Sequence, residues 1–349
     1  MPLLARHIPS PLSVDVGPGA VATLAELLRD RRISSQGHVA IVVGPGQGDQ
    51  IVGELNLTGT GVFPVEGGSV RAALELVESM REDYYDAVVG IGGGRTLDVA
   101  KYAASIAGLP MVSVATNLAH DGIASPVASL EHDGRKGSYG VQMPIAVVVD
   151  IDYVRRCPPE QLRSGVGDAL SNLSALADWE LASRERDEPF DGVAAALARA
   201  AAASVLGRAD GFDADGFLTA LAEALILSGL AMAAAGSSRP CSGACHEISH
   251  AIDALYPDRA THGEQVAVGA LFASFLREDG LAAGLDAAYS RLGVARVPSD
   301  LGLTEEEFAA AVAEAPATRP DRYTILEHLQ LDENAIRDRV ESFVGAFAR

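Results

Sequence analysis

Residues 86–101 read Asp86-Ala-Val-Val-Gly-Ile-Gly-Gly-Gly-Arg-Thr-Leu-Asp-Val-Ala-Lys101, and this stretch decides the fold of the N-terminal part of the chain. A short apolar run, typical of a buried parallel strand, ends in three consecutive glycines, and residues 96–107 then have helical character. Amides at the start of such a helix, with no Cβ atoms nearby, can approach a diphosphate closely, and the helix dipole favours the negative charge. The strand before the glycines and the helix after them favour a nucleotide site, with a ligand-free turn as the alternative.

Short apolar runs continue this pattern on both sides of the glycine turn. They predict further strands at residues 38–44, 62–65, 111–115 and 145–149, and a helix at residues 69–81. Strands that alternate with helices are typical of a Rossmann-like parallel sheet with helices on both faces. After about Cys157 the strand signals nearly vanish, and Ala- and Leu-rich segments such as 168–183 and 217–235 have helical periodicity. We therefore predict a nucleotide-binding α/β domain over residues 1–160 and an all-helical C-terminal domain over residues 161–349.

Composition limits the classes of function that the chain can have. The 349 residues are 48% hydrophobic, which excludes a disordered chain, and the longest apolar run near the middle, 224–236, is too short to span a bilayer. Residues 1–15 hold several prolines and no apolar core of a signal peptide. Three cysteines cannot all pair, so we expect a reducing, cytoplasmic location. The net charge of −20 argues against a nucleic-acid partner and leaves a small anionic ligand open.

The first of two histidine motifs in the helical part is His246-Glu-Ile-Ser-His250, which matches the signature of zinc peptidases. In such a peptidase Glu247 would be the catalytic base. The extended peptidase motif requires Gly and His further along the chain, where Asp253 and Tyr256 stand instead. The match is therefore the weaker of the two interpretations of these histidines.

The second motif is Thr261-His-Gly-Glu-Gln265, which opens another helical run. A helix–turn–helix could bring His262 close to His246, and a carboxylate would complete a site of two histidines and one acid with an open position. Asp168, in Gly165-Val-Gly-Asp-Ala-Leu-Ser-Asn172, is the candidate carboxylate. Taken singly, Asp168 could be a helix N-cap and His262 a surface histidine, but together the three residues predict a metal-binding helical domain.

At these motifs the sequence resembles the superfamily of iron-containing alcohol dehydrogenases, glycerol dehydrogenases and dehydroquinate synthase, and within it the sn-glycerol-1-phosphate dehydrogenase branch. The turn Gly92-Gly-Gly-Arg-Thr-Leu-Asp-Val-Ala-Lys101 is similar to the cofactor turn of this branch. Thr116-Asn-Leu-Ala-His-Asp-Gly-Ile-Ala-Ser-Pro126 resembles its loop for substrate and nicotinamide. The remaining similar segments, which extend the resemblance over most of the chain, are Ser164-Gly-Val-Gly-Asp-Ala-Leu-Ser-Asn172, Asp178-Trp179, Ser238-Arg-Pro240, Ser242-Gly243, His246 and His262-Gly-Glu-Gln265.

The resemblance implies an oxidoreductase that uses NAD(H) or NADP(H) and one divalent metal, which is Zn2+ or, as alternatives, Fe2+ or Ni2+. It implies Asp168, His246 and His262 as the metal ligands, with His250 outside the ligand set. The residues implied to bind the cofactor are Gly44, Gly92, Gly93, Gly94, Thr96, Asp98, Thr116, Asn117 and Ser125. His120 and Asp121 are the implied catalytic residues, as a proton relay or as contacts to substrate hydroxyls, with ordinary polar loop residues as the alternative.

The reaction implied by the resemblance is the reduction of dihydroxyacetone phosphate to sn-glycerol 1-phosphate, or its reverse, in a protein expected to form a homo-oligomer. Arg239 and Lys136 are candidates for binding the substrate phosphate. The residues directly after the predicted strand at 38–44 include no acid that would repel a 2′-phosphate, so both cofactors stay open. The alternatives are a dehydrogenase acting on another polyol, alcohol or phosphorylated substrate, a dehydroquinate-synthase-like cyclase, and a nucleotide-binding regulatory protein with a vestigial metal site.

Overall fold

The computed structural model describes residues 8–55 and 60–348, and they form two compact units. The first unit takes the described residues of Met1–Asn117, Gly122–Arg156 and Met232–Ser237. The second unit takes the described residues of Leu118–Asp121, Cys157–Ala231 and Ser238–Arg349. The chain therefore changes unit near Cys157, and a short segment, Leu118–Asp121, leaves the first unit for the second earlier in the sequence.

The first unit is built on a six-stranded sheet in which every strand pairing is parallel. The strands that the structure describes are β1 (Ser13–Gly17), β2 (Val39–Val43), β3 (Thr60–Pro64), β4 (Ala87–Gly92), β5 (Met111–Ala115), β6 (Val127–His132), β7 (Arg135–Gly140) and β8 (Ala146–Asp150). The sheet has the order β1-β8-β5-β4-β2-β3. Its four central strands are buried at every residue, which explains their continuous apolar sequences. The predicted parallel α/β sheet is confirmed.

The prediction missed β1 and the hairpin of β6 and β7. β1 is an edge strand of sequence Ser-Val-Asp-Val-Gly that pairs only with β8 in the sheet order; none of its residues is buried, and it lacks a buried apolar run. The hairpin turns at Asp133 and Gly134, which both have positive φ, as a two-residue hairpin turn requires. β7, of sequence Arg-Lys-Gly-Ser-Tyr-Gly, has only one apolar side chain, which makes the hairpin hard to recognise in the sequence.

The strand order places the glycine turn at a point where the chain reverses its direction across the sheet. After β2 the chain adds β3 on one side of β2, and then adds β4 on the other side. In open α/β sheets, ligands bind beyond the carboxyl ends of the strands at such a switch point. Gly44 directly follows β2 and Gly92 ends β4, so both lie at this position of the sheet.

Helices fill the rest of both units. In chain order they are α1 (Leu24–Leu27), α2 (Gln47–Leu55), α3 (Val70–Met80), α4 (Gly94–Ala107), α5 (Ile151–Val154), α6 (Pro159–Arg186), α7 (Gly192–Leu206), α8 (Asp215–Ala235), α9 (Ala244–Leu255), α10 (His262–Arg277), α11 (Leu281–Leu292), α12 (Glu305–Thr318), α13 (Ile325–Leu329) and α14 (Glu333–Phe347). After β8 the described residues contain helices and no strand, which confirms the predicted helical C-terminal part.

The apolar run in the middle of the chain lies, up to Ala235, within α8, where the sequence predicted helical periodicity over 217–235. α8 begins at Asp215, well before the run at 224–236, and its 21 residues include a window of mean hydropathy 1.9. By length and composition alone this helix could cross a membrane, although the apolar run at 224–236 covers only part of it. Within the protein 72% of that window is buried, which is the environment of a core helix.

Candidate metal centre and cofactor turn

Glycines at the ends of β2 and β4 meet the side chains of Thr96 and Asn117. A Cβ atom at Gly44 would lie 2.1 Å from Thr96 Oγ1, and one at Gly92 would lie 2.8 Å from the same atom. A Cβ atom at Gly93 would lie 2.5 Å from Asn117 Nδ2. Only glycine lets these side chains pack directly on the backbone, which leaves the first amides of α4 accessible without a neighbouring Cβ.

The structure therefore brings most of the predicted cofactor residues into one turn of the first unit. Thr116 joins them because its backbone N–H donates to Gly92 O at 3.0 Å. The residues assembled in this way are Gly44, Gly92, Gly93, Gly94, Thr96, Thr116 and Asn117.

Asp98 and Ser125 have partners of a different kind. The buried carboxylate of Asp98 lies 2.9 Å from Lys101 Nζ and accepts a hydrogen bond from Ser129 N at 3.2 Å. The hydroxyl of Ser125 donates to Val127 O at 3.3 Å, and Lys101 also donates to that carbonyl. These contacts attach the start of the β6–β7 hairpin to α4, so both side chains support the turn from outside it.

Asp168, His246 and His262 form a cluster in the second unit, contributed by α6, α9 and α10. Each residue offers one ligand atom, and these atoms all lie within 4.8 Å of one another. Asp168 is buried, and its Oδ1 lies 3.7 Å from His246 Nε2. The rings of His246 and His262 have centroids 5.2 Å apart. Two imidazoles and one carboxylate are a donor set that suits a divalent transition metal and leaves a position for water or substrate.

Close backbone contacts at glycines position these ligands. A Cβ at Gly263 would lie 1.8 Å from Ser164 O, and one at Gly167 would lie 2.1 Å from Gly263 O, so α6 and the start of α10 touch backbone to backbone. The hydroxyl of Ser164 accepts from Gly263 N at 3.1 Å. Because Asp168 follows Gly167 and His262 precedes Gly263, this contact sets the distance between the two ligands. Asp168 lies well inside α6, whose N-cap is Pro158, so the alternative of Asp168 as an N-cap was wrong.

The segment with the predicted catalytic residues packs against the same part of α6. Ser164 Oγ donates to Ala119 O at 2.8 Å, and a Cβ at Gly165 would lie 1.9 Å from Leu118 O. The backbone N–H of Asp121 donates to Asp168 Oδ2 at 2.8 Å, which leaves Oδ1 facing His246. His120 is close enough that its charge acts on the Asp168 carboxyl. The structure thus places His120 and Asp121 beside the cluster.

Two of the three side chains in the cluster, Asp168 and His262, have the protonation state that a metal requires. Burial alone would raise the pKa of Asp168, but the contact with His246 and the charges of the three neighbouring histidines hold it below its ordinary value. Burial, and then the charge of His246, lower the pKa of His262 to about 4. At neutral pH the carboxyl is therefore ionised and the His262 ring is neutral, as metal ligands must be. Burial lowers the pKa of His246, but the neighbouring Cys245 and Asp168 outweigh it and raise this pKa to about 10, so a metal would displace a proton from that ring.

Comparisons with known proteins show the family of the chain. A family model described as iron-containing alcohol dehydrogenase matches residues 15–158. A Staphylothermus marinus protein named glycerol-1-phosphate dehydrogenase (NAD(P)+) is 36% identical over 345 residues, which are 95% of each chain. A protein of the same name from Archaeoglobus fulgidus is 40% identical over 75% of this chain and 77% of its own. The chain belongs to the glycerol-1-phosphate dehydrogenase family.

Solved structures of related enzymes share its fold. A probable glycerol dehydrogenase from Sinorhizobium meliloti superposes with a TM-score of 0.82 at 22% identity, covering 99% of each chain. Glycerol dehydrogenase from Schizosaccharomyces pombe gives a TM-score of 0.77 at 22% identity, over 98% of this chain and 91% of its own. The sheet and the following helices are thus the architecture of the glycerol dehydrogenase type.

The motif His246-Glu-Ile-Ser-His250 does not form the zinc-peptidase site that its spacing suggested. His250 is not part of the ligand cluster; its ring centroid lies 6.5 Å from that of His246, and burial lowers its pKa to about 2. Glu247 is buried with its Oε2 lying 3.0 Å from Thr324 Oγ1, and burial raises its pKa to about 9. A protonated carboxyl that faces Thr324 cannot act as the base on a metal-bound water.

The two candidates for phosphate binding differ in their surroundings. Arg239 donates twice to the carboxylate of Glu188, at 2.6 Å and 2.6 Å, and to Tyr323 O, so its charge is already compensated. Lys136 is exposed on β7 of the first unit. Sequence reasoning missed Arg322. Its guanidinium donates to Ser242 O at 2.6 Å and to Ser238 Oγ at 2.8 Å, and both of these oxygen atoms are uncharged.

Ser249, Gln265 and Asp253, which connect to His262, also escaped sequence reasoning. Ser249 and Asp253 lie on α9, three and seven positions after His246, and Gln265 lies on α10, three positions after His262. The available signal was spacing: residues three or seven positions from a ligand share its helix face. Without the packing of α9 on α10, these residues look like ordinary polar residues of a helix.

Proposed function

We propose that this protein reduces dihydroxyacetone phosphate to sn-glycerol 1-phosphate with NADH or NADPH, or catalyses the reverse oxidation. The cluster of Asp168, His246 and His262 carries the proposal, because it supplies a metal site with an open position. Relatives named glycerol-1-phosphate dehydrogenase (NAD(P)+) support the choice of substrate and cofactor. Zn2+ is the proposed metal, with Fe2+ or Ni2+ as alternatives for the same donors.

The chain's own residues would prepare the reaction in separate ways. When bound, the metal would supply Lewis acidity toward the ketone oxygen, and the reduced nicotinamide would supply the hydride. Asp168, His246 and His262 hold the metal, and the Asp121 amide fixes the Asp168 carboxylate. His120 and Asp121 are proposed to deliver a proton to the product oxygen or to bind a substrate hydroxyl.

The glycine turn would bind the cofactor diphosphate through the first amides of α4. The glycine positions keep this backbone bare of Cβ atoms, and the dipole of the fourteen-residue helix favours the negative charge. Thr96 and Asn117 would donate to the same ligand. Asp98 and Ser125 would contribute indirectly, through their attachment of β6 to α4.

Arg319 and Arg322 are proposed to recognise the substrate phosphate. Both charges act on His250, and both residues lie at or just after the end of α12. Burial lowers the pKa of Arg322 to about 10, and the charge of Arg319 nearby adds to this effect. A dianionic phosphate would relieve the repulsion between these two arginines. Arg319→Ala should raise KM for dihydroxyacetone phosphate at least tenfold and leave the kinetics with dihydroxyacetone almost unchanged.

The experiment that tests the activity is a substrate panel followed at the nicotinamide absorbance. Dihydroxyacetone phosphate, dihydroxyacetone and other phosphorylated ketones are each offered with NADH and with NADPH. Stoichiometric oxidation with dihydroxyacetone phosphate, giving a product that sn-glycerol-3-phosphate dehydrogenase does not oxidise, is the expected result. Preference for dihydroxyacetone would indicate a polyol dehydrogenase, and no net oxidation with any ketone would indicate a synthase or a regulatory protein.

We further propose that the protein is a cytoplasmic homo-oligomer. Three cysteines that are all buried and unpaired support a reducing compartment. The mass of the purified protein by light scattering decides the oligomeric state, for which a single chain of 36.2 kDa would be the contradicting result.

A further inference from the structure

The Nδ1 side of the His262 ring, opposite to Nε2, is connected to a row of hydrogen-bonded polar groups. Its Nδ1 lies 3.2 Å from Ser249 Oγ, and Ser249 Oγ lies 2.8 Å from Gln265 Oε1. Gln265 Nε2 in turn donates to Asp253 Oδ1 at 3.1 Å. Ser249 and Gln265 have no exposed surface, so bulk water does not compete for these contacts.

The hydrogen atoms available in this row of polar groups fix the direction of each hydrogen bond. Gln265 Nε2 donates to two oxygen atoms, Asp253 Oδ1 and Ala260 O, so its amide orientation is fixed and Oε1 faces Ser249. The single hydroxyl hydrogen of Ser249 goes to that Oε1. Ser249 Oγ can therefore only accept from His262, and Nδ1 of His262 must carry the hydrogen. The lone pair of the neutral ring then lies on Nε2.

We propose that Ser249, Gln265 and Asp253 are positioning residues that hold His262 in its Nδ1–H tautomer and so keep Nε2 ready to bind the metal. The inference rests on the metal site of the proposed function and is independent of the substrate. The two histidine ligands differ in this respect: Nδ1 of His246 lies 3.4 Å from Cys245 Sγ, and sulfur is a weak acceptor. His262 is therefore the ligand that the protein orients more firmly.

Replacing Ser249 by Ala removes the acceptor for Nδ1–H and leaves a buried N–H without a partner. A neutral imidazole without such a partner populates both tautomers, and only one of them offers Nε2. We expect Ser249→Ala to weaken Zn2+ binding by 10- to 100-fold, as measured by competition with a chromophoric chelator on the full-length protein. Asp253→Ala should have a smaller effect, because Ala260 O still holds the Gln265 amide.

Ser274→Ala is the matched control. Ser274 is a fully buried serine on α10, the same helix as His262, and its hydroxyl has no hydrogen-bond partner among the described residues. The substitution therefore removes the same atom without touching the row of polar groups. Its Zn2+ affinity should equal that of the wild type, and its unfolding temperature reports any loss from altered packing.

The tautomer itself is read from long-range 1H–15N correlation spectra of protein labelled at the histidine ring nitrogens, before and after Zn2+ is added. The His262 signals are assigned by their loss in His262→Gln. We expect the Nδ1–H pattern in the wild type and in Ser274→Ala, and a mixed or Nε2–H pattern in Ser249→Ala before Zn2+ is added. A purely structural role of Ser249 would lower the unfolding temperature and leave this pattern unchanged.

Two results would overturn the inference: an Nε2–H pattern for His262 in the wild type, or wild-type Zn2+ affinity in a folded Ser249→Ala variant. Both are separable from failure of the proposed function. An inactive wild type that still shows the Nδ1–H tautomer and the Zn2+ loss in Ser249→Ala would contradict only the proposed reaction. An active wild type with an unaffected Ser249→Ala would contradict only the role of the row of polar groups.

Discussion

Glu247 is held in its protonated form by its surroundings. It is buried in α9, and burial, followed by the nearby Glu327 and Asp178 carboxylates, raises its pKa to about 9. The hydroxyl of Thr324 contacts Glu247 Oε2 at 3.0 Å and Glu327 Oε2 at 2.7 Å, but it has only one hydrogen to donate. Both contacts are hydrogen bonds only if a proton sits on one of the carboxyls, and the more buried Glu247 is the one that keeps it.

Glu247→Gln should therefore change the pH dependence of stability. The pKa of Glu247 is 4.5 when exposed in the unfolded chain and about 9 in the folded protein, so its contribution is fully present below pH 4.5 and is lost as pH rises toward 9. Glutamine keeps the neutral donor at every pH. Between about pH 5 and pH 8 the free energy of unfolding of the variant should rise relative to the wild type by on the order of 3 kcal/mol.

Urea unfolding of both proteins at the two pH values, with a chelator present, measures this difference. Parallel pH profiles for the wild type and Glu247→Gln would contradict a buried, protonated Glu247. A peptidase that used Glu247 as its base would instead require the ionised form at neutral pH.

The turn between β4 and α4 depends on the missing side chain of Gly93. A Cβ there would meet Asn117 Nδ2 at 2.5 Å, and displacing Asn117 would also narrow the approach to the first amides of α4. Gly93→Val should weaken NADH or NADPH binding at least tenfold, about 1.4 kcal/mol, with unchanged metal content. Gly53→Ala, in α2 of the same unit, is the control because a Cβ there has nothing within 4 Å. Cofactor affinity is measured by nicotinamide fluorescence, and an unaltered value in Gly93→Val would remove this turn from the binding site.

Asp178 joins α6 to three other helices of the second unit. From α6 its carboxylate contacts the guanidinium of Arg277 on α10 and accepts from Ala244 N at the start of α9 and Ile325 N at the start of α13, both at 2.8 Å. Asp178 has no exposed surface, so Asp178→Ala leaves a buried charge and two buried amides without their partner. The expected loss is about 3–5 kcal/mol in the free energy of unfolding.

Glu180→Ala on the same helix is the comparison for Asp178→Ala. Glu180 pairs with Arg199 at 2.9 Å, but both side chains are more than half exposed, so its removal should change the free energy of unfolding by less than about 1 kcal/mol. Equal losses in the two variants, measured by urea unfolding, would show that Asp178 is not the structural centre described here.

The accuracy of the sequence prediction for each element followed from burial. Strands such as β2 and β4 are buried on both faces, so their apolar runs stand out in the sequence. β1 is an edge strand without a buried residue, β7 has none either, and β6 buries only two residues, so none of the three has a continuous apolar run. α8 is rich in Ala and Leu along its length, and the helical periodicity predicted at 217–235 agrees with its bounds to within two residues.

At the scale of the whole molecule, sequence motifs predicted the family and the identity of the candidate ligands but not the groups around them. Asp168, His246 and His262 could be named because their motifs are short and recognisable. Ser249 and Gln265 could not be named in this way, since their role depends on how α9 packs on α10. The need for glycine at position 263 is likewise visible only in the structure, from the contact with Ser164 O. Packing between distant parts of the chain leaves little trace in a single sequence.

Metal analysis of purified histidine variants tests the central claim most directly. If Asp168, His246 and His262 hold the metal, His262→Ala should be purified largely without metal and lose reductase activity by orders of magnitude, since a three-ligand site has lost one ligand. His250 lies outside the cluster, so the His250→Ala variant should keep its metal. Metal retained in His262→Ala but lost in His250→Ala would contradict the site and support the peptidase-like arrangement instead.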